Sequence, residues 1–98
     1  MSILDVLARR IRNEEKIQQV WDKGKPIPGY DRRKYRWDIH YNLMIFSHYG
    51  RRDSIYGWEI DHFIPRALKG RNHIGNLRPL NWYANTIRGI QTKGLLNR

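Results

Sequence analysis

The chain has 98 residues, with 19 Lys and Arg against 9 Asp and Glu, so it carries +10 at pH 7. That length suits one domain and excludes a large multidomain enzyme, and the absence of cysteine excludes disulfides and thiolate zinc clusters. Aromatic residues make up 12%, too many large hydrophobes for a disordered basic tail.

Ser2 followed by Asp5 has the spacing of a capped helix start. Leu4, Leu7, Ala8 and Ile11 recur at helical spacing, Ile17, Val20 and Trp21 resume the stripe, and Gly24 and Pro26 stop it. This predicts a helix over about residues 3–22 that lays one apolar face on the rest of the domain. A helix face that binds a partner is the alternative. Asp5 and Arg9 interrupt the apolar start, so it does not read as a signal peptide. No apolar run approaches the ~20 residues a membrane helix needs.

Residues 23–36 carry two Pro, two Gly and dense charge, and Ile27, Tyr30 and Tyr35 anchor them as an ordered connector. In residues 37–46, Trp37, Ile39 and Tyr41 alternate, a short apolar run follows, and Tyr41-Asn42 offers a hairpin turn. Residues 47–57 read as a loop. WEIDHFIP, residues 58–65, is a β-rich run closed by Pro65. Residues 66–75 form a polar loop, and 76–80 a short extended piece in which Pro79 holds Arg78 extended. Asn81 suits the N-cap of a helix over 81–89 with Gly89 at its exit, and the last residues show no clear period. The C-terminal half therefore reads strand, loop, strand, helix.

The charge is lopsided. Residues 1–30 carry +2 and residues 31–98 carry +8, and no acid follows His62. A one-signed stretch beside ordered hydrophobes is the footprint of a polyanion-binding surface; the plainer reading is a solvated basic face.

Within this half, Asp61, His62, Asn76 and Asn85 stand out. Asp61 and His62 close a strand, Asn76 opens the next, and Asn85 lies one turn into the helix. A helix packed across the hairpin would gather them. Oxygen donors from Asp61 and Asn85 suit a hard divalent cation, and His62 is a natural general base. In a regular strand, however, Asp61 and His62 point to opposite faces, so they converge only where the strand ends or bulges.

Residues 57–89, GWEIDHFIPRALKGRNHIGNLRPLNWYANTIRG, resemble the HNH nucleases, a branch of the ββα-metal or His-Me finger endonucleases. The Asp-His pair, an Asn-Leu run fourteen residues past the His, and an Asn nine residues further match in order and spacing. The likeness extends upstream to about residue 20, towards small bacterial or phage proteins. It implies an α+β fold in which one domain, residues 1–98, joins an N-terminal helix to a C-terminal ββα-metal motif. It also implies metal-dependent hydrolysis of DNA phosphodiesters. His62 would activate water, Asn76 would brace the loop and orient it, and Asp61 and Asn85 would hold one divalent metal. Mg²⁺ is expected first and Mn²⁺ second, because an amide ligand disfavours softer ions. Many relatives carry Cys-x-x-Cys pairs for structural zinc; Asn81 and Ala84 stand at the inner pair, so no structural zinc is expected.

Arg66, Lys69, Arg71, Arg78 and Arg88 are the expected DNA contacts, to double-stranded DNA first. No membrane partner is expected, whereas a protein partner is a candidate source of the sequence specificity that so small a domain lacks. The resemblance implies a cytoplasmic setting in a bacterial or phage-infected cell. Each residue also has a plainer use: His62 as a carbonyl-bonded core histidine, Asp61 as partner of an arginine, Asn76 as a turn residue, Asn85 as a solvated helix residue. The competing function is a basic nucleic-acid-binding module that keeps the HNH fold but does not cut.

Overall fold

The computed structural model describes residues 1–96, without the side chains of Arg88 and of 91–96. The fold is α+β: an N-terminal helix, two small antiparallel sheets and a C-terminal helix. Helix α1 spans Ile3–Trp21 and starts with the expected capping box. Ser2 Oγ accepts from Asp5 N at 3.1 Å, and Ser2 N donates back to the Asp5 carboxylate at 3.3 Å. Such a cap contributes about 1 kcal/mol.

Only the last turns of α1 pack. Val20 and Trp21 are fully buried and Ile17 lies against them, but Leu4 is 74% and Ile11 is 55% exposed. The expectation that the whole stripe lies on the domain is therefore corrected. The reason is length: at about 1.5 Å per residue the helix outruns a body whose strands hold three to five residues on the sides it meets.

Strands β1 (Lys25–Pro26), β2 (Tyr35–Trp37) and β3 (Leu43–Ile45) form a three-stranded antiparallel sheet. The expected hairpin is present, with β2 and β3 registered Arg36 to Met44. Its turn uses Tyr41 at φ 63°, and Asp38, buried at the turn, accepts from the backbone of His40 and Asn42. β1 falls in the stretch that reads as a connector, because two residues, one of them a proline, leave no periodic signal. Arg36 faces inward and donates to the carbonyls of Asp22 and Gly24, just past the end of α1.

Strands β4 (Trp58–His62) and β5 (Leu77–Asn81) pair antiparallel, from Trp58 opposite Asn81 to His62 opposite Leu77. The core gathers Val20, Trp21, Met44, Trp58 and Leu77, so α1 and both sheets share it. Trp21 and Trp58 meet at 5.2 Å, and each ring N–H is satisfied, by Arg32 O and Phe46 O. Helix α2 spans Trp82–Leu96 and packs on β4 and β5. Asn81 caps it as expected, accepting from Ala84 N at 3.0 Å. The expected exit at Gly89 is corrected, because the helix runs through it. Gly89 does not take the positive φ that a C-cap glycine uses, and without that a glycine only weakens a helix.

Candidate functional site: the mouth of the β4–β5 hairpin

The two strands diverge at His62 and Leu77, and the fourteen residues between Phe63 and Asn76 close the mouth. Two tight helical turns, Arg66–Leu68 and Ile74–Asn76, compact this segment. Asn76 holds it shut. Its Oδ1 accepts from Ile64 N at 2.7 Å, and its Nδ2 donates to Ile64 O at 3.0 Å and Arg71 O at 2.9 Å. Its own carbonyl accepts from Phe63 N at 2.8 Å, beside His62. Three side-chain bonds to backbone, at about 1 kcal/mol each, stiffen what would otherwise be a free loop.

The strand stays regular through His62, with no bulge in the pairing. Asp61 and His62 therefore turn to different neighbours. Asp61 Oδ2 accepts from Arg78 Nε at 3.0 Å, across the register partner on β5. Arg78, expected to reach DNA, is thus engaged by Asp61 and also lies 5.1 Å over the Phe63 ring. The plainer reading of Asp61, an arginine partner, describes this geometry.

His62 Nε2 lies 3.3 Å from Asn72 Oδ1, and Lys16 Nζ of α1 donates to the same oxygen at 3.2 Å. An ammonium only donates, so the Asn72 atom facing it is the oxygen. The imidazole nitrogen facing that oxygen must then carry hydrogen. Nε2–H is thus the tautomer this contact assigns to a neutral ring, which leaves Nδ1 as the ring's acceptor. Sequence reasoning missed Asn72 and Lys16: they lie 56 residues apart, and neither belongs to a periodic pattern. Lys23, at the end of α1, adds a second tie by donating to Ile74 O and Leu77 O.

Asn85 is exposed on the first turn of α2. Arg66, Lys69 and Arg71 are exposed around the loop. Lys69 and Arg71 line an open cleft of about 520 Å³ together with Phe63, His73 and Asn76. The side chain of Arg88 lies outside the described residues. Glu59 holds Arg52 through both carboxylate oxygens, at 2.7 and 3.0 Å.

No family model, curated protein or solved structure matches the chain.

No group of three or more His, Asp or Glu side chains converges among the described residues. Of the two expected metal ligands, Asp61 is paired with Arg78, and Asn85 is exposed on α2; by donor type, a carboxylate and an amide oxygen suit a hydrated hard cation such as Mg²⁺, which commonly takes one or two protein oxygens and completes its shell with water and phosphate. They do not fit zinc, which asks for several nitrogen or sulfur donors. Among the described residues, no helix is long and apolar enough to cross a membrane.

Proposed function

We propose that the chain is a metal-dependent endonuclease of the HNH type that hydrolyses DNA phosphodiester bonds. The observation that carries the reading is the mouth of the β4–β5 hairpin. There a histidine that follows a carboxylate in sequence ends one strand with its Nε2 against the Asn72 amide oxygen, a braced loop follows, and a helix packs on the strands.

In this reading His62 Nδ1 takes a proton from water as the oxygen attacks phosphorus, and the bond to the 3′ oxygen breaks. The ends left are 5′-phosphate and 3′-hydroxyl. Asn72 holds the imidazole by its Nε2–H, and Asn76 keeps the loop that carries Asn72. Asp61 and Asn85 would hold the divalent metal, which when bound supplies charge stabilisation at the leaving oxygen. Lys69 and Arg71 position the DNA backbone and carry little sequence information. Many proteins of the family this chain resembles carry a cysteine pair at the positions of Asn81 and Ala84; here the Ala84 N–H donates to Asn81 Oδ1 at that junction.

One observation favours the non-cutting module instead. Arg78 occupies Asp61, so a metal must share or displace a guanidinium. Calorimetry with Mg²⁺ on the wild type, Asp61→Ala and Arg78→Ala separates the two readings. The nuclease reading expects Asp61→Ala to abolish binding and Arg78→Ala to keep or strengthen it. Mg²⁺ affinity unchanged in Asp61→Ala removes Asp61 as a ligand.

A further inference from the structure

The three-stranded sheet has two unlike faces. Arg36 and Met44 point into the protein. The opposite face carries Tyr35 and Trp37 from β2 and Leu43 and Ile45 from β3, all only half-buried. Small antiparallel sheets usually turn polar side chains to water on such a face. Here Ile27, Tyr30, Tyr35, Trp37 and Leu43 instead line an open cup of about 400 Å³. Tyr30, 66% exposed, stands edge-on to Tyr35 at 6.2 Å and forms one wall. Beyond Trp37, Tyr41 packs at 5.5 Å, with the Lys25 ammonium 4.1 Å from its ring centre.

Tyr35 is also the shared wall of a second cup, of about 240 Å³, where Arg33 and Lys34 stand beside Ile45, Phe46 and Ser47. An aromatic cup and a cationic cup thus adjoin across one ring. Asp31 pairs with Arg33 and offsets its charge, which leaves Lys34 as the cation of this cup, and Asp38 is buried with its oxygens accepting from the backbone of His40, Asn42 and Asn81.

We propose that this face binds the unpaired bases of a nucleic-acid strand, stacking them on Tyr30, Tyr35 and Trp37 while Lys34 and Lys25 meet the flanking phosphates. Every base has a π-face, so such stacking tolerates any sequence, and cations beside the rings track the backbone. A proline-rich peptide also suits an aromatic groove, but it has no use for the cationic cup or for a net charge of +10. The site requires neither a metal nor His62, so it stands or falls apart from the hydrolysis reading.

The test is fluorescence anisotropy of a labelled short oligothymidylate with the full chain in EDTA. A duplex and an abasic strand of equal length run beside it. The wild type is expected to bind the oligothymidylate more tightly than the abasic strand. Trp37→Ala should weaken the oligothymidylate about tenfold and leave the duplex unchanged. Trp37 contributes to the sheet, so Tyr30→Ala, at an exposed position, is the second variant and should weaken it in the same sense. Equal affinity for the abasic strand, or an unchanged Tyr30→Ala, overturns the proposal. So does displacement of the oligothymidylate by an uncharged proline-rich peptide, or a dimer that Tyr30→Ala dissolves.

Discussion

Asn72 has one side-chain oxygen, and two donors converge on it. In the nuclease reading this makes Asn72 a positioning residue for His62 rather than a catalytic one. Asn72→Ala is expected to lower kcat about tenfold with KM nearly unchanged. Nitrogen-15 NMR of the ring should show a single Nε2–H tautomer in the wild type and a mixture in the variant. A ring that is Nδ1–H in the wild type contradicts the assignment. Tyr49 offers a check that needs no substrate. It packs on Trp58 at 4.8 Å, and burial, with a smaller push from Glu59, raises its hydroxyl above the usual value of 10.0. The folded state therefore holds that proton more tightly than the unfolded chain. Its contribution is complete below pH 10 and is lost as pH rises through the raised value. Relative to Tyr49→Phe, wild-type stability should be level below that range and fall above it, read by urea unfolding at several pH values. A parallel pair of curves contradicts the burial.

At the scale of elements, the loop between β4 and β5 depends on a glycine. A Cβ at Gly70 would stand 1.7 Å from Ile64 O, and backbone cannot move aside as a side chain can. Gly70→Ala is expected to open the Asn76 clamp and cost about 2–4 kcal/mol, since a forced backbone clash belongs to the severe class of single changes. Faster amide exchange at Ile64 would report the opening; unchanged exchange contradicts it. Much of this architecture was legible beforehand. Ser2 with Asp5, the stripe ending at Trp21, the Pro-bounded strands and Asn81 as cap are local signals, and each element they mark is present. The misses share one physical origin, in that distance along the chain hides contact. β1 exists only because β2 lies beside it. α1 stays bare at its start because the body is too short to cover it. α2 runs past Gly89 because one glycine cannot end a helix that has no left-handed cap.

For the molecule as a whole, the candidate site is built from both ends of the chain. α1 contributes to the core through Val20 and Trp21 and to the hairpin mouth through Lys16, and Lys23, just past the helix, adds a second tie to the mouth. The ordered set of Asp61, His62, Asn76 and Asn85 was readable as spacing. What spacing could not give was the competition at Asp61, because the Arg78 partner is set by strand register. The central claim is that His62 activates water for phosphodiester hydrolysis. The most direct measurement is nicking of supercoiled plasmid by wild type and His62→Ala, side by side, in Mg²⁺, Mn²⁺ and EDTA. The account predicts metal-dependent nicking by the wild type and at least a hundredfold loss, about the contribution of a general base, in a folded His62→Ala. Equal nicking by both proteins, or none by the wild type with either metal, would contradict it.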